Sequence, residues 1–168
     1  MKTQIAKDSH QAAKRYSSVY QQQGRAVLDS DVNELSDIVK TRLNDALDDA
    51  IKSGAPASGG LAINNDFTIE PGQLYVDGIP AEVISDAAVA FTAQTDLINP
   101  QALPANDFLL YADVWERSVT SLEDAALLDP ALHGADTCTR TQTMCQVKWG
   151  ANTLGVMDEA QNPSIGDA

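Results

Sequence analysis

Asp113-Val114-Trp115-Glu116 sets two carboxylates three positions apart, and a carboxylate pair is the minimal equipment for general acid/base chemistry. On an extended backbone that spacing puts the two acids on opposite faces, so they cannot converge on one substrate unless the chain bends there. Glu116, Arg117 and Trp115 read instead as a corner organised by a salt bridge or an Arg-aromatic contact. His133, Cys138 and Cys145 are the soft-ligand set, and their spacing matches none of the usual zinc arrangements. Asp29, Asp31, Asn33 and Glu34 begin like a calcium loop, but the glycine and the distal Glu of such a loop are missing. Gly59-Gly60 has neither the Lys-Ser/Thr of a phosphate-binding loop nor dinucleotide spacing, and His10 with the Ser and Thr residues forms no nucleophile elbow or triad. No catalytic, cofactor-binding or metal-binding residue is assigned, and a conventional enzyme is not expected.

The informative stretch carries recognition. Between Tyr16 and Glu34 a polar segment ends at Gly24, an apolar stripe opens at Leu28, and Asp29, Asp31 and Glu34 bring negative charge to a helix start, where the macrodipole favours it. Asp29 or Ser30 is the expected N-cap. Leu28, Val32, Leu35, Val39, Leu43, Ala46 and Ala50 follow at spacings of three and four, which predicts an amphipathic helix over 28–53, stopped by Ser53-Gly54. The stripe recurs every eleven residues (Leu28, Val39, Ala50), a period suited to a nearly straight seam. Ile38, Leu47 and Ile51 widen the apolar face, so the helix serves either an assembly interface or packing across its own β-domain. The candidate interface residues are Tyr16, Gln22, Gln23, Gly24 and Arg25, then Leu28, Val32, Leu35, Val39, Leu43 and Ala46.

The 168 residues carry a formal charge of −13, unevenly spread. Residues 1–25 hold Lys2, Lys7, Lys14, Arg15 and Arg25 against Asp8 alone, and the rest is strongly acidic. An acidic body repels nucleic-acid phosphates and anionic head groups, while a basic arm suits an acidic protein surface; solubility accounts for much of the acidity. No apolar segment follows Lys2, which reads as the absence of a secretory signal and synthesis in the cytoplasm. Apolar runs such as Phe108 to Tyr111 are too short to cross a bilayer. Cys138 and Cys145, seven apart, are expected to be free thiols.

The elements that place these residues form an α+β chain. An extended arm (1–27) precedes the helix, and a small-residue linker (54–60) leads into a mainly antiparallel β-rich domain (61–150), followed by a tail or linker (151–168). Within the β-domain, Asp77-Gly78 between Leu74 to Val76 and Pro80 to Ile84 predicts a hairpin. Ala87 to Ala93 suggests another strand. Phe108 to Val119, apolar on both faces at its start, predicts a buried central strand. Thr120 with Glu123 fits a capping box for a short helix through Leu128, and Thr137 to Trp149 reads as a final strand with Cys145, Val147 and Trp149 on one face and Gln146 and Lys148 on the other.

Three blocks carry a resemblance: Tyr16-Ser17 and Gln22 to Arg25 through Leu28-Asp29 and Asn33-Glu34; Phe67 to Gly78; and Tyr111 to Arg117 with Thr120, Leu122 to Asp124 and Asp136 to Arg140. Together they resemble an uncharacterised family encoded with phage-like contractile tails and contractile injection systems; the resemblance implies a Trp in many relatives where Val32 stands, a departure at the first helical turn. The layout also looks like the N-terminal attachment modules of tail fibres. The resemblance implies a structural protein, a baseplate-attached tail-fibre or spike adaptor that docks on baseplate proteins and, by the same analogy, a homotrimer assembled into the particle, without nucleic-acid binding or membrane insertion. The alternative is a carbohydrate-binding or carbohydrate-cleaving surface module using Trp115, Trp149 and Tyr75, although aromatic residues are only 5% of the chain, too few for a broad stacking platform.

Overall fold

The computed structural model describes residues 5–56, 60–98, 102–105 and 108–151. Among the described residues it is a mixed α+β structure with one α-helix, α1 (Asp29–Ile51), and eight strands: β1 (Thr68–Ile69), β2 (Gly72–Val76), β3 (Ile79–Val83), β4 (Val89–Ala90), β5 (Phe108–Val119), β6 (Leu128–Asp129), β7 (Ala135–Asp136) and β8 (Arg140–Ala151). They pair two by two, β1 with β4, β2 with β3, β5 with β8 and β6 with β7. The predicted tail beyond Ala151 lies outside the described residues.

The chain divides into two compact units, the first comprising Met1–Gly54, Tyr75–Ile79 and Arg117–Gln142, the second Ala55–Leu74, Pro80–Glu116 and Thr143–Ala168. In the first unit α1 ends at Ile51, within two residues of the predicted stop. Its N-cap is Leu28 rather than Asp29 or Ser30. The Leu28 carbonyl accepts from Asp31 and Val32 N–H, and Asp29 and Asp31 sit inside the first turn, where they complement the macrodipole without a capping hydrogen bond. Residues 5–28 do not extend away as a free arm. Ser9 donates to the Glu34 carboxylate at 2.6 Å, and Ala12–Lys14 form a single 3₁₀ turn closed by Arg15 in the left-handed region.

Asp77 and Gly78 both have positive φ (48° and 73°), the signature of the primed two-residue turn that matches strand twist. The tip carrying them meets the far end of α1: Asp77 N–H donates to Ser53 Oγ at 3.1 Å, and Gly78 is buried against the Asn44 carbonyl. The expected capping box at Thr120 is absent. Glu123 and Asp124 N–H both donate to the Thr120 carbonyl, and the Glu123 carboxylate instead takes the Arg117 guanidinium. Only a 3₁₀ turn, Ala125–Leu127, follows, capped by Asp124, because the pull of Arg117 removes Glu123 from the reciprocal position a capping box requires.

The second unit holds the apolar core. Ile69, Phe91 and Val147 are buried together, with Leu61, Val83, Leu103, Leu110 and Trp149 packed around them. β5 has the predicted bounds, but none of its residues is fully buried, Leu109, Arg117 and Ser118 are exposed, and among the described residues it pairs with β8 alone, so it does not form the buried central strand expected. Where another strand was expected at Ala87 to Ala93, the chain forms the two-residue β4 and then a 3₁₀ turn that delivers Phe91 to the core. β8 buries Cys145 and Val147 as predicted, but Gln146, expected on the polar face, is also buried. Its amide is held from both sides, accepting from Ile98 N–H at 3.0 Å and donating to Asp113 at 3.2 Å.

Candidate docking surface

A helix presents whichever face its neighbours leave uncovered, and α1 leaves its apolar one. The positions turned inward are Ser30, Glu34, Asp37, Thr41 and Asn44, all half-buried, with Ile38 fully buried beside them. They recur at three and four residues, as one helix face must. The predicted stripe runs about half a turn out of phase. Leu28, Val32, Leu35, Val39 and Leu43 are 39–58% exposed, and Ala46 and Ala50 are exposed with them. Of the residues that widened the apolar face in sequence, Ile38 alone is fully buried; Leu47 is half-buried and Ile51 exposed. Within its own unit α1 is thus packed through its largely polar face, and the apolar stripe stays exposed.

The remaining interface candidates fall into two places. Tyr16, 53% exposed, carries the Lys14 ammonium over its ring at 5.8 Å and lies with Arg15 beside α1. Arg15 and Tyr16, together with Ile38, Arg42, Asp45 and Ala46, line an open groove of about 400 Å³. Gln22, Gln23, Gly24 and Arg25 form a separate exposed turn, closed by Arg25 N–H donating to the Gln22 carbonyl at 3.2 Å, with Gly24 at φ 75°. At the other end of α1, Asp29, Val32 and Asn33 line a second open groove of about 510 Å³ with Ile5, Asp136 and Arg140.

The candidates for chemistry are held apart or already occupied. Asp113 pairs with the Lys148 ammonium and accepts from Gln146, and Arg117 is engaged by Glu123 and by Gln142 at 3.1 Å. Cys138 is exposed and Cys145 buried, both free. Burial, with the Asp96 and Asp113 carboxylates nearby, pushes the Cys145 thiol up to about 11, well away from a reactive thiolate. Among the described residues no group of three or more His, Cys, Asp or Glu converges as a metal-ligand set, and no helix is long and apolar enough to cross a membrane.

Two features of the second unit escaped sequence reasoning. Gln94 behaves as a one-residue strand: its amide accepts from Val147 N–H at 2.6 Å and donates to the Val147 carbonyl at 2.9 Å, while Asp96 accepts from Cys145 N–H at 2.9 Å. Side chains thus occupy the β8 edge that another strand would otherwise seek. Phe91, Leu97, Tyr111, Val147 and Trp149 also line a pocket of about 230 Å³, and the buried Trp149 Nε1–H has no hydrogen-bond partner among the described residues. Both features join residues roughly 50 positions apart, and nothing in the local pattern announces such pairing.

Residues 1–161 match a family of unknown function, DUF6519, and the chain belongs to that family. No curated protein and no solved structure matches the chain.

Proposed function

We propose that this member of the DUF6519 family is a structural component of a contractile injection system or phage-like tail, a baseplate-attached fibre or spike adaptor that works by docking through the outer face of α1. One observation carries the docking reading: five large apolar side chains lie exposed along one helix face, while the helix is held in its fold by the opposite, largely polar face. A contiguous apolar strip left uncovered marks an interaction site, because its burial in an interface recovers the hydrophobic free energy that folding left unused. The particle context is supported by the resemblance of the three sequence blocks, and assembly follows synthesis in the bacterial cytoplasm.

The mechanism needs no turnover. The stripe supplies buried area, and polar residues around it set orientation. Leu35→Asp combined with Leu43→Asp places two charges in the stripe and should abolish incorporation into particles. Both positions are exposed, so the double variant should keep its fold, with a helix-propensity cost of about 1 kcal/mol in total. Incorporation of this variant at wild-type level would overturn the docking role.

A second reading is favoured by the pocket at Trp149. Tyr111 and Trp149 offer aromatic walls and the unpartnered indole N–H offers a donor, the combination a sugar ring uses. It differs from the expected trio in that Trp149 sits with Tyr111 and not with Tyr75 or Trp115 in that pocket. A glycan array and a reducing-sugar assay separate the two: binding or release lost in Trp149→Ala supports the surface module, and silence in both leaves the adaptor.

A further inference from the structure

The order of charges along α1 says what kind of partner covers its stripe. Beside the stripe, Asp29 and Asp31 stand at its start, Lys40 and Arg42 at its middle and Asp45 and Asp49 toward its end, whereas Glu34, Asp37 and Asp48 fall on the opposite face by helical spacing. At about 1.5 Å per residue the centres of these groups lie roughly 9–16 Å apart, at or beyond the screening length of about 8 Å at physiological salt, so each acts mainly on whatever lies opposite it. A second copy of the helix is mismatched in both symmetric arrangements. In parallel register every group faces itself; antiparallel about Lys40, the acidic ends face acidic ends and the basic middle faces itself. Sliding one copy until acids meet bases uncovers much of the apolar seam. The chain's own residues 152–168 carry Asp158, Glu159 and Asp167 and no Lys or Arg, so they offer the same sign again. What α1 already holds along one flank is basic: Arg15 lines the groove that Asp45 and Asp49 also line.

We infer that the occupant of the stripe is a different polypeptide, an amphipathic helix whose apolar seam is flanked by Lys or Arg toward both ends and by Asp or Glu at its middle. This inference rests on the docking reading above and names the partner's chemistry. It also separates this helix from the homotrimer expected by analogy with tail fibres: self-association does not run through α1.

The test uses the full chain and two synthetic helical peptides of α1's length, 23 residues, with identical apolar seams and identical composition. One has basic ends and an acidic middle; its isomer gathers the same basic residues at the middle and the acids at the ends. By fluorescence anisotropy at about 0.15 M salt the basic-ended peptide should bind about tenfold more tightly than its isomer, the sum of several weak rim pairs, and the gap should close near 1 M salt. The Leu35→Asp/Leu43→Asp chain should bind neither. Equal affinities for the two isomers, or no binding of either, overturn the partner chemistry. So does a dimer or trimer in light scattering that the same double variant dissolves, because a second copy would then be the occupant. Failure of the docking reading has its own signature, the double variant entering particles normally, and is scored independently of the peptides.

Discussion

At the scale of single residues, the tightest constraint is Gly78. A Cβ there would lie 2.0 Å from the Asn44 carbonyl oxygen, and φ is 73°. Gly78→Ala should therefore cost about 3 kcal/mol in denaturant melts, the left-handed penalty and a backbone clash together, whereas Gly24→Ala should cost only about 1 kcal/mol. Gly24 has a similar φ, but nothing lies within 4 Å of its added Cβ. Equal costs at the two sites would contradict the packing of the hairpin tip on α1. Cys145 makes a pH prediction. Its thiol stays protonated in the fold to about 11 against an ordinary 9.0, so between those values the unfolded chain releases a proton that the folded chain retains. Stability should fall as pH rises through that window, and Cys145→Val should flatten the slope. Cys138, exposed, should react with a thiol reagent in the native state while Cys145 waits for unfolding. Sequence marked the Asp77-Gly78 turn because only a primed turn joins strands so closely. It could not mark Gln146 as buried, since the groups that satisfy its amide lie 33 and 48 residues away.

At the scale of elements, the orientation of α1 is the decisive feature, and it was half legible. Periodicity placed the helix and its stripe, because spacings of three and four define a face regardless of what covers it. Which face turns inward depends on the segments folded against it, Ser9 at one end and the Asp77-Gly78 tip at the other, and those contacts have no local signal. Ile38→Ala should lower stability by about 2–4 kcal/mol, while Val39→Gln, one residue on, should change it by less than about 0.5 kcal/mol. The reverse order in chemical denaturation would mean that the stripe is the packed face. In the second unit Gln94→Leu should cost about 2–3 kcal/mol, because it strands the Val147 N–H and carbonyl at a buried position. It should also promote aggregation by freeing the β8 edge, seen as a rising scattering signal on incubation.

At the scale of the whole molecule, charge and apolar surface act together. The chain carries −13, and its exposed apolar strip lies on a helix with seven acids and two bases. On the docking proposal, like charge would keep copies apart while leaving the strip open to a partner of opposite pattern. The α+β class and the two longest strands were legible because their apolar patterns persist over many residues. The division into two units was not, since each unit is assembled from three separated stretches of chain. The most direct test is the solution mass of the full chain by light scattering, for wild type and for Leu35→Asp/Leu43→Asp. Both should be monomers near 17.9 kDa, with only the wild type gaining mass when the basic-ended peptide is added. A wild-type oligomer that the double variant reduces to monomer would contradict docking on a different polypeptide.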